Sequence, residues 1–203
     1  MVKEKDESTE QKILTAAKKV FVTRGMAGAR MQDIADEAGI NKALLHYYFR
    51  SKEKLFEVIF KETTGRFVPR VNEILNSDMT MYQKIETFCR EYIEKVIENP
   101  FLPLFIMNEM HKQPEEFIKS IWGGQKPQIG KFIQQIQEAI EKKEIRPIHP
   151  AQLLMNVMSL CIFPFIGKPI LQMLSGTSEK EFINLMRERT ILVPQFIMQA
   201  IKI

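Results

Sequence analysis

Apolar residues fall at the three- and four-residue spacing of a helix face along nearly the whole chain. Ser8 and Gln11 form a capping-box pattern ahead of Ile13, Ala16, Ala17, Val20 and Phe21, and Gly25 after Arg24 predicts the stop. A short helix follows over Met31 to Ala38, with Ile34, Ala35 and Ala38 on one side and Gly39 at its end. Asn41 is placed to cap a second short helix that turns Leu44, Leu45 and Tyr48, or a subset of them, inward. Ser51 caps a longer helix carrying Leu55, Phe56, Ile59 and Phe60. Beyond it the pattern predicts helices near residues 81–98, 103–111, 126–143, 150–166 and 178–201. Breaks are expected at Asn99-Pro100, Gln113-Pro114, Gly123-Gly124, Arg146-Pro147 and Ser175-Gly176. Pro164 should kink or stop its helix, and Pro194 should bend the last one, because each removes a backbone donor and crowds the preceding turn. The fold class predicted is all-α.

Composition divides this helical chain in two. After about Gly65 charge thins out, and nine of the twelve Met lie beyond residue 70. We therefore expect an N-terminal unit over 1–50, a connecting helix over 51–65 and a second helical domain over 66–203. A length of 203 residues with 45% hydrophobic and 27% charged residues is that of a soluble globular protein. The N-terminus is charged and leads into no apolar signal segment, and the longest apolar stretch, 153–166, is too short for a membrane span. A cytoplasmic location without membrane attachment is the expectation. Cys89 and Cys161 form no CxxC pair and have no nearby His, so they read as buried, inert thiols. His46, His111 and His149 are scattered, and no GxSxG, HExxH, P-loop or GxGxxG occurs, so neither a metal, a cofactor nor an enzyme activity is expected.

The informative segment runs from Asp33 to Leu45. It places a small residue, Ala35, where two short helices would cross, and Gly39 four positions later, where a tight turn needs positive φ. Ile40 and Leu45 then anchor the second helix against the first and against Phe21. This is the pattern of a helix-turn-helix, whose second helix offers Lys42, Ala43, Leu44, His46 and Tyr47 at an end able to enter a major groove. Net charge is only +4, but between Ile40 and Phe56 four cations, Lys42, Arg50, Lys52 and Lys54, face Glu53 alone. Positive charge therefore concentrates beside the motif.

Residues 8–60, above all the stretch DIADEAGINKALLHYYFRSKEKLF, resemble the DNA-binding region of the tetracycline-repressor (TetR) family of bacterial transcription regulators. The resemblance implies a homodimer that binds double-stranded DNA at a palindromic operator, most often as a repressor, and that is released by a small-molecule effector held in the C-terminal domain. It also implies roles by position. Arg30 and Met31 open the first helix of the motif where the family commonly has two Thr, so Arg30 would supply a charged phosphate contact in place of a hydroxyl. Gln32 would reach a groove edge, and Lys42 and Ala43 would meet base edges and a thymine methyl. His46 stands where Tyr is usual, while Tyr47 and Lys52 match phosphate-contacting positions.

The second domain carries the remaining expectations. Helix 150–166 is apolar on nearly all sides, as is the last helix. Pairing both with their symmetry mates in a four-helix bundle, through Leu153, Val157, Leu160, Phe182, Leu185, Leu192 and Phe196, would cover them. An apolar effector pocket would be lined by Phe105, Met107, Met110, His111, Trp122, Met158, Cys161 and Phe165, suiting an apolar or amphipathic ligand.

Overall fold

The structure, a computed structural model, describes residues 2–112, 115, 119 and 128–203. Its helices are α1 (Val2–Gly28), α2 (Met31–Ala38), α3 (Lys42–Tyr48), α4 (Lys52–Asn76), α5 (Met81–Glu98), α6 (Leu102–Lys112), α7 (Gly130–Glu141), α8 (Pro150–Ile166), α9 (Lys168–Ser175) and α10 (Glu179–Ile201). Among the described residues there is no strand, only an isolated bridge between Ile145 and Lys202, so the all-α class holds. No single described helix is long and apolar enough to cross a membrane; α8 and α9 reach that length and composition only together, and they are bent by 74°.

Two hydrophobic cores organise the helices. In the first, α1 contributes Ile13, Ala17 and Phe21, α2 contributes Ile34 and Ala35, α3 contributes Leu45, and α4 contributes Leu55, Phe56 and Ile59. The second is built from α5, α7, α8 and α10, with Cys89, Ile136, Leu153 and Phe182 among its buried members. The helix α4 serves both: Phe56 lies in the first core, and Phe67 and Leu75 pack against the second. A two-bond contact from the Arg70 guanidinium to the Glu91 carboxylate, with Nε–Oε2 and Nη2–Oε1 both 3.0 Å, fastens α4 to α5. These hydrogen bonds and a further one that Arg70 donates to the Glu73 carboxylate hold the guanidinium firmly charged.

Local signals set several boundaries. Thr80 and Gln83 complete a capping box that starts α5, Pro150 opens α8 in its first turn, and Ser178 with Glu181 caps α10. The Glu181 carboxylate is held below the usual carboxylate range by its hydrogen bonds from Ser178. At other places the structure departs from the pattern. The first helix begins at Val2, not at Ser8, because residues 2–11 contain good helix formers and neither Gly nor Pro to interrupt them. It does break at Gly25, whose φ of 65° and ψ of 171° are foreign to a helix. The helix α4 runs through Gly65 and Pro69 to Asn76, beyond the composition change. The helix α8 continues two residues past Pro164, and α10 passes through Pro194 without stopping. Between Gly167 and Gly176 lies α9, a helix absent from the sequence reading although Pro169 near its start and the left-handed Gly176 at its end mark it. The expected breaks at Gln113-Pro114 and Gly123-Gly124, and the start of the helix expected from 126, lie outside the described residues.

Candidate nucleic-acid interface and interior cavity

The turn between α2 and α3 is set by its backbone. Gly39 adopts φ 66° and ψ 33°; its N–H donates to the Asp36 carbonyl at 3.2 Å, and the Ile40 N–H donates to the Ala35 carbonyl at 3.0 Å. This crossed pair of bonds closes α2 and redirects the chain. The Asn41 side chain then accepts from the Leu44 N–H at 2.7 Å and starts α3. Ala35 is fully buried, as close approach of two helices demands, and Leu45 fixes α3 to the first core. The Asp33 carboxylate locks the entry by accepting from the Arg30 N–H at 3.1 Å and pairing with Arg24 at 2.7 Å.

With Leu45 buried and Tyr48 half-buried, α3 presents Lys42, Ala43, His46 and Tyr47 along one exposed stripe. Tyr47 is 78% exposed, with its ring edge-on to Tyr48 at 5.5 Å. Nearby cations sort into two sets. Lys18 pairs with Glu62, Lys19 with Glu37, Arg24 with Asp33 and Lys54 with Glu57. Arg30, Lys42 and Arg50 are exposed and make no ion pair among the described residues. Positive charge without internal partners is thus left beside the exposed stripe, the arrangement a phosphate backbone neutralises. Sequence reasoning gave Arg50 no contact; its signal was a cation immediately after the last core residue of the motif, Phe49.

Two residues behave otherwise than their exposure class suggests. Gln32 is exposed but donates from Nε2 to the Asp36 carboxylate at 2.7 Å along α2. Lys52 is half-buried, and its ammonium donates to the carbonyls of Met26 at 2.8 Å and Ala29 at 3.1 Å. It therefore fastens the start of α4 to the end of α1 and keeps one donor for anything else.

The expected effector pocket is not assembled as the sequence reading drew it. Phe105 stacks into the first core instead, 4.2 Å from the Phe56 ring and 4.9 Å from Phe60, beside Phe101. Cys161 lies in the second core with its Sγ 3.5 Å from that of Cys89, and Phe165 packs edge-on to Phe182. The Cys89 thiol is pushed up by that hydrogen bond and by burial, as an inert pair requires. Met107, Met110 and His111 are exposed on α6, the His111 ring nitrogen sitting 2.8 Å from the Met107 carbonyl, and Trp122 lies outside the described residues. The reason is tertiary: α6 turns Phe105 onto Phe56 and Phe60 of α4 and leaves Met107, Met110 and His111 outside. A cavity of about 470 Å³ opens instead between α4, α5, α7 and α8, and of the expected residues that are described only Met158 lines it.

Lys84 lines that cavity too, and it was missed. It is 1% exposed, and its ammonium donates to the Leu75 carbonyl at 2.7 Å. Burial, and then the charge of Lys131, push its pKa below the ordinary lysine value, against a smaller opposing pull from Asp78. The sequence signal was a charged residue on the apolar stripe of α5, between Met81, Ile85 and Phe88.

The partner-facing set divides as well. Leu153, Val157 and Phe182 belong to the chain's own core, so they are corrected from surface to interior; helices α5 and α10 already cover that side. Leu160 is half-buried, and its carbonyl accepts from Arg189 at 2.8 Å. Leu185, Leu192 and Phe196 are exposed, alongside Ile191 on the same helix and Met155 and Phe163 on α8. Among the described residues no cluster of His, Cys, Asp or Glu is placed to hold a metal ion.

The family profile for bacterial regulatory proteins of the tetR family matches residues 13–59, which span α1 to the first turns of α4. The chain is 31% identical over 82 residues to the transcriptional activator FasR of Mycolicibacterium smegmatis, a stretch covering 40% of this chain and 37% of FasR. It is 24% identical over 109 residues to the fatty acid metabolism regulator protein of Bacillus subtilis, covering 54% of this chain and 56% of that protein. The matched stretch is thus little more than half of these curated relatives, or less. Two solved structures share the fold over almost the full length. The hemolysin II transcriptional regulator HlyIIR matches with a TM-score of 0.62 at 24% identity, covering 97% of this chain and 98% of that one. The regulator FadR of Bacillus subtilis, solved in complex with stearoyl-CoA, matches with a TM-score of 0.60 at 17% identity, covering 93% and 97%. Taken with the turn geometry at Gly39 and the stripe on α3, these matches show that residues 13–59 form a helix-turn-helix region of the kind found in bacterial regulatory proteins of the tetR family, and that the whole chain shares the fold of such regulators.

Proposed function

We propose that this protein is a ligand-responsive DNA-binding regulator, working as a cytoplasmic homodimer that represses by occupying a palindromic operator and is released by a small apolar or amphipathic effector. The observation that carries the reading is the exposed stripe of Lys42, Ala43, His46 and Tyr47 on α3, flanked by the unpaired cations Arg30 and Arg50. In this reading residues 1–50 form the DNA-reading domain and 66–203 the effector and dimerisation domain. Lys42 and Ala43 reach base edges, Gln32 reads at the groove wall, and Arg30, His46, Tyr47 and Arg50 hold phosphates. Lys52 acts chiefly by fixing α4 against α1.

A dimer is supported by the exposed apolar residues of α8 and α10, which a second copy would cover in a four-helix bundle. Two copies of α3 related by a two-fold axis would then address successive major grooves. Communication runs through α4, which is common to both cores, and through Phe101 just before α6 and Phe105 within it, which pack against Phe56. An effector that favours one arrangement of α4 must weaken DNA binding by the factor by which DNA weakens the effector, about 1–3 kcal/mol in typical cases. An amphipathic effector agrees with the acyl-CoA in the FadR structure and with the apolar lining of the interior cavity.

The test is selection of genomic fragments by the purified protein, followed by anisotropy titration of the best fragment at several salt concentrations. We expect palindromic enrichment and a steep salt slope. A chain carrying both Lys42→Ala and Tyr47→Ala should lose affinity for that fragment at least tenfold, and Arg50→Ala should reduce the salt slope by about one for the lost phosphate contact. Equal, weak binding to every fragment by the folded, ligand-free protein overturns the reading. Lys52 is unsuited to this test because its removal also frees the end of α1.

A further inference from the structure

The interior cavity poses a problem in charge. Its walls are Leu75, Phe88, Phe132, Leu154 and Met158 together with other apolar side chains, and among the described residues Lys84 is the one titratable group that lines it. An ammonium almost fully withdrawn from water is costly unless an anion or several acceptors replace its hydration. Lys84 has one acceptor among the described residues, the Leu75 carbonyl, although it carries three donors. That carbonyl lies in the last turn of α4, whose dipole supplies only a fraction of a negative charge. The nearest acidic group acting on Lys84, Asp78, is fully exposed and already pairs with Lys131 at 2.6 Å.

We propose that this cavity binds an amphiphilic monoanion, a carboxylate on an unbranched or compact apolar body, with the carboxylate paired to Lys84. The inference rests on the effector-binding reading of residues 66–203 and names the ligand class for it. The described walls favour an apolar body, since among the described lining residues no side chain other than Lys84 would replace the hydration of a polar one. Volume sets how much of it the cavity can hold: at the roughly 30 Å³ that one water occupies in the liquid, 470 Å³ takes about fifteen non-hydrogen atoms. A chain of about ten to twelve carbons ending in a carboxylate fits that limit. A neutral alcohol of the same length fills the same space and leaves the ammonium unpaired. If Lys84 served only to close the end of α4, it would not distinguish the two.

Decanoate and decanol, both below micelle-forming concentrations, test this by calorimetric titration of the full chain at pH 7. Decanoate should bind at least tenfold more tightly than decanol. In Lys84→Met, which keeps the length and apolar stem, that ratio should fall to near one through loss of decanoate affinity, with decanol affinity retained. Leu154→Trp, which fills the cavity, should abolish binding of both. Equal affinities in the wild-type protein, a ratio unchanged by Lys84→Met, or binding unaffected by Leu154→Trp overturns the proposal. Should Lys84→Met fail to fold, the wild-type ratio and Leu154→Trp decide it alone. Failure here is separable from failure of the regulator reading. Protein that binds its selected DNA fragment but neither amphiphile sinks the ligand assignment only. Protein that binds decanoate through Lys84 but no fragment sinks the DNA reading and leaves the cavity assignment standing.

Discussion

A methyl group added at Gly39 meets no atom within 4 Å, and neither does one at Gly25, so any penalty at these two positions is backbone conformation alone. Gly39 sits in the left-handed helical well, where a side chain costs about 1–2 kcal/mol and Asn less than Ala. Gly25, with ψ at 171°, sits in a region that is essentially glycine's own, at about 1–3 kcal/mol for others. We expect Gly39→Ala to lower unfolding free energy by about 1 kcal/mol, Gly39→Asn by less and Gly25→Ala by more than Gly39→Ala. Urea unfolding of the three variants measures the order. The reverse order for the two Ala variants would show that packing, not φ and ψ, selected these glycines. The same scale separates side chains that share a charge. Lys42 is exposed and unpaired, Lys52 is spent on two carbonyls and Lys84 is interred, and only the first of the three resembles the solvated lysine that composition counts.

At the scale of elements, α6 is the piece whose position least follows its place in the chain. Phe101, just before it, lies 5.2 Å from the Phe56 ring and 6.2 Å from Phe21, and Phe105 lies nearer still to Phe56. Distance alone would rank Phe105 as the stronger tie. Burial reverses that, since Phe101 is 6% exposed and Phe105 only half-buried. Phe101→Ala should therefore cost about 3–4 kcal/mol in urea unfolding, and Phe105→Ala distinctly less. This also marks where sequence was legible. Helices α2, α3, α5, α8 and α10 could be bounded from caps, because Gly39, Asn41, Thr80, Pro150 and Ser178 act on backbone groups within a turn of themselves. The start of α1 misled because a capping pattern at Ser8 does not stop a helix that has good formers on its other side. The surface stripe on α3 could be read from the motif, since one buried residue, Leu45, fixes which way the helix faces. The cavity could not. Its walls come from four helices whose faces meet only after the chain has folded, and an apolar residue at helix spacing is as fit for a core as for a pocket. That is why Phe105 and Cys161 went to cores, and why Lys84 was passed over.

The whole molecule leaves much apolar surface uncovered. Leu192 is 54% and Phe196 62% exposed on α10, Phe163 60% on α8, and Met173 and Leu174 about three-quarters on α9. Exposed apolar residues that join into one patch mark a surface for association. Sedimentation should report a dimer for the wild-type chain at micromolar concentration and a monomer for the chain carrying Leu192→Glu and Phe196→Glu together. The helical circular dichroism should stay, and affinity for a palindromic fragment should fall by more than tenfold. A wild-type monomer at that concentration would remove the two-fold reading of the operator. The helix α4 sets how such a dimer would feel its DNA. Its 25 residues make a rod about 37 Å long. Pro69 withholds the hydrogen bond that the Gly65 carbonyl would otherwise receive, so the rod's bending stiffness is lowest along that turn. The arm from Lys52 to Gly65 is about 20 Å long, and a 10° bend at its base swings its tip by roughly 3.5 Å, about one base-pair step along a duplex. A strain too small to disturb either core is thereby geared up to the spacing at which DNA is counted.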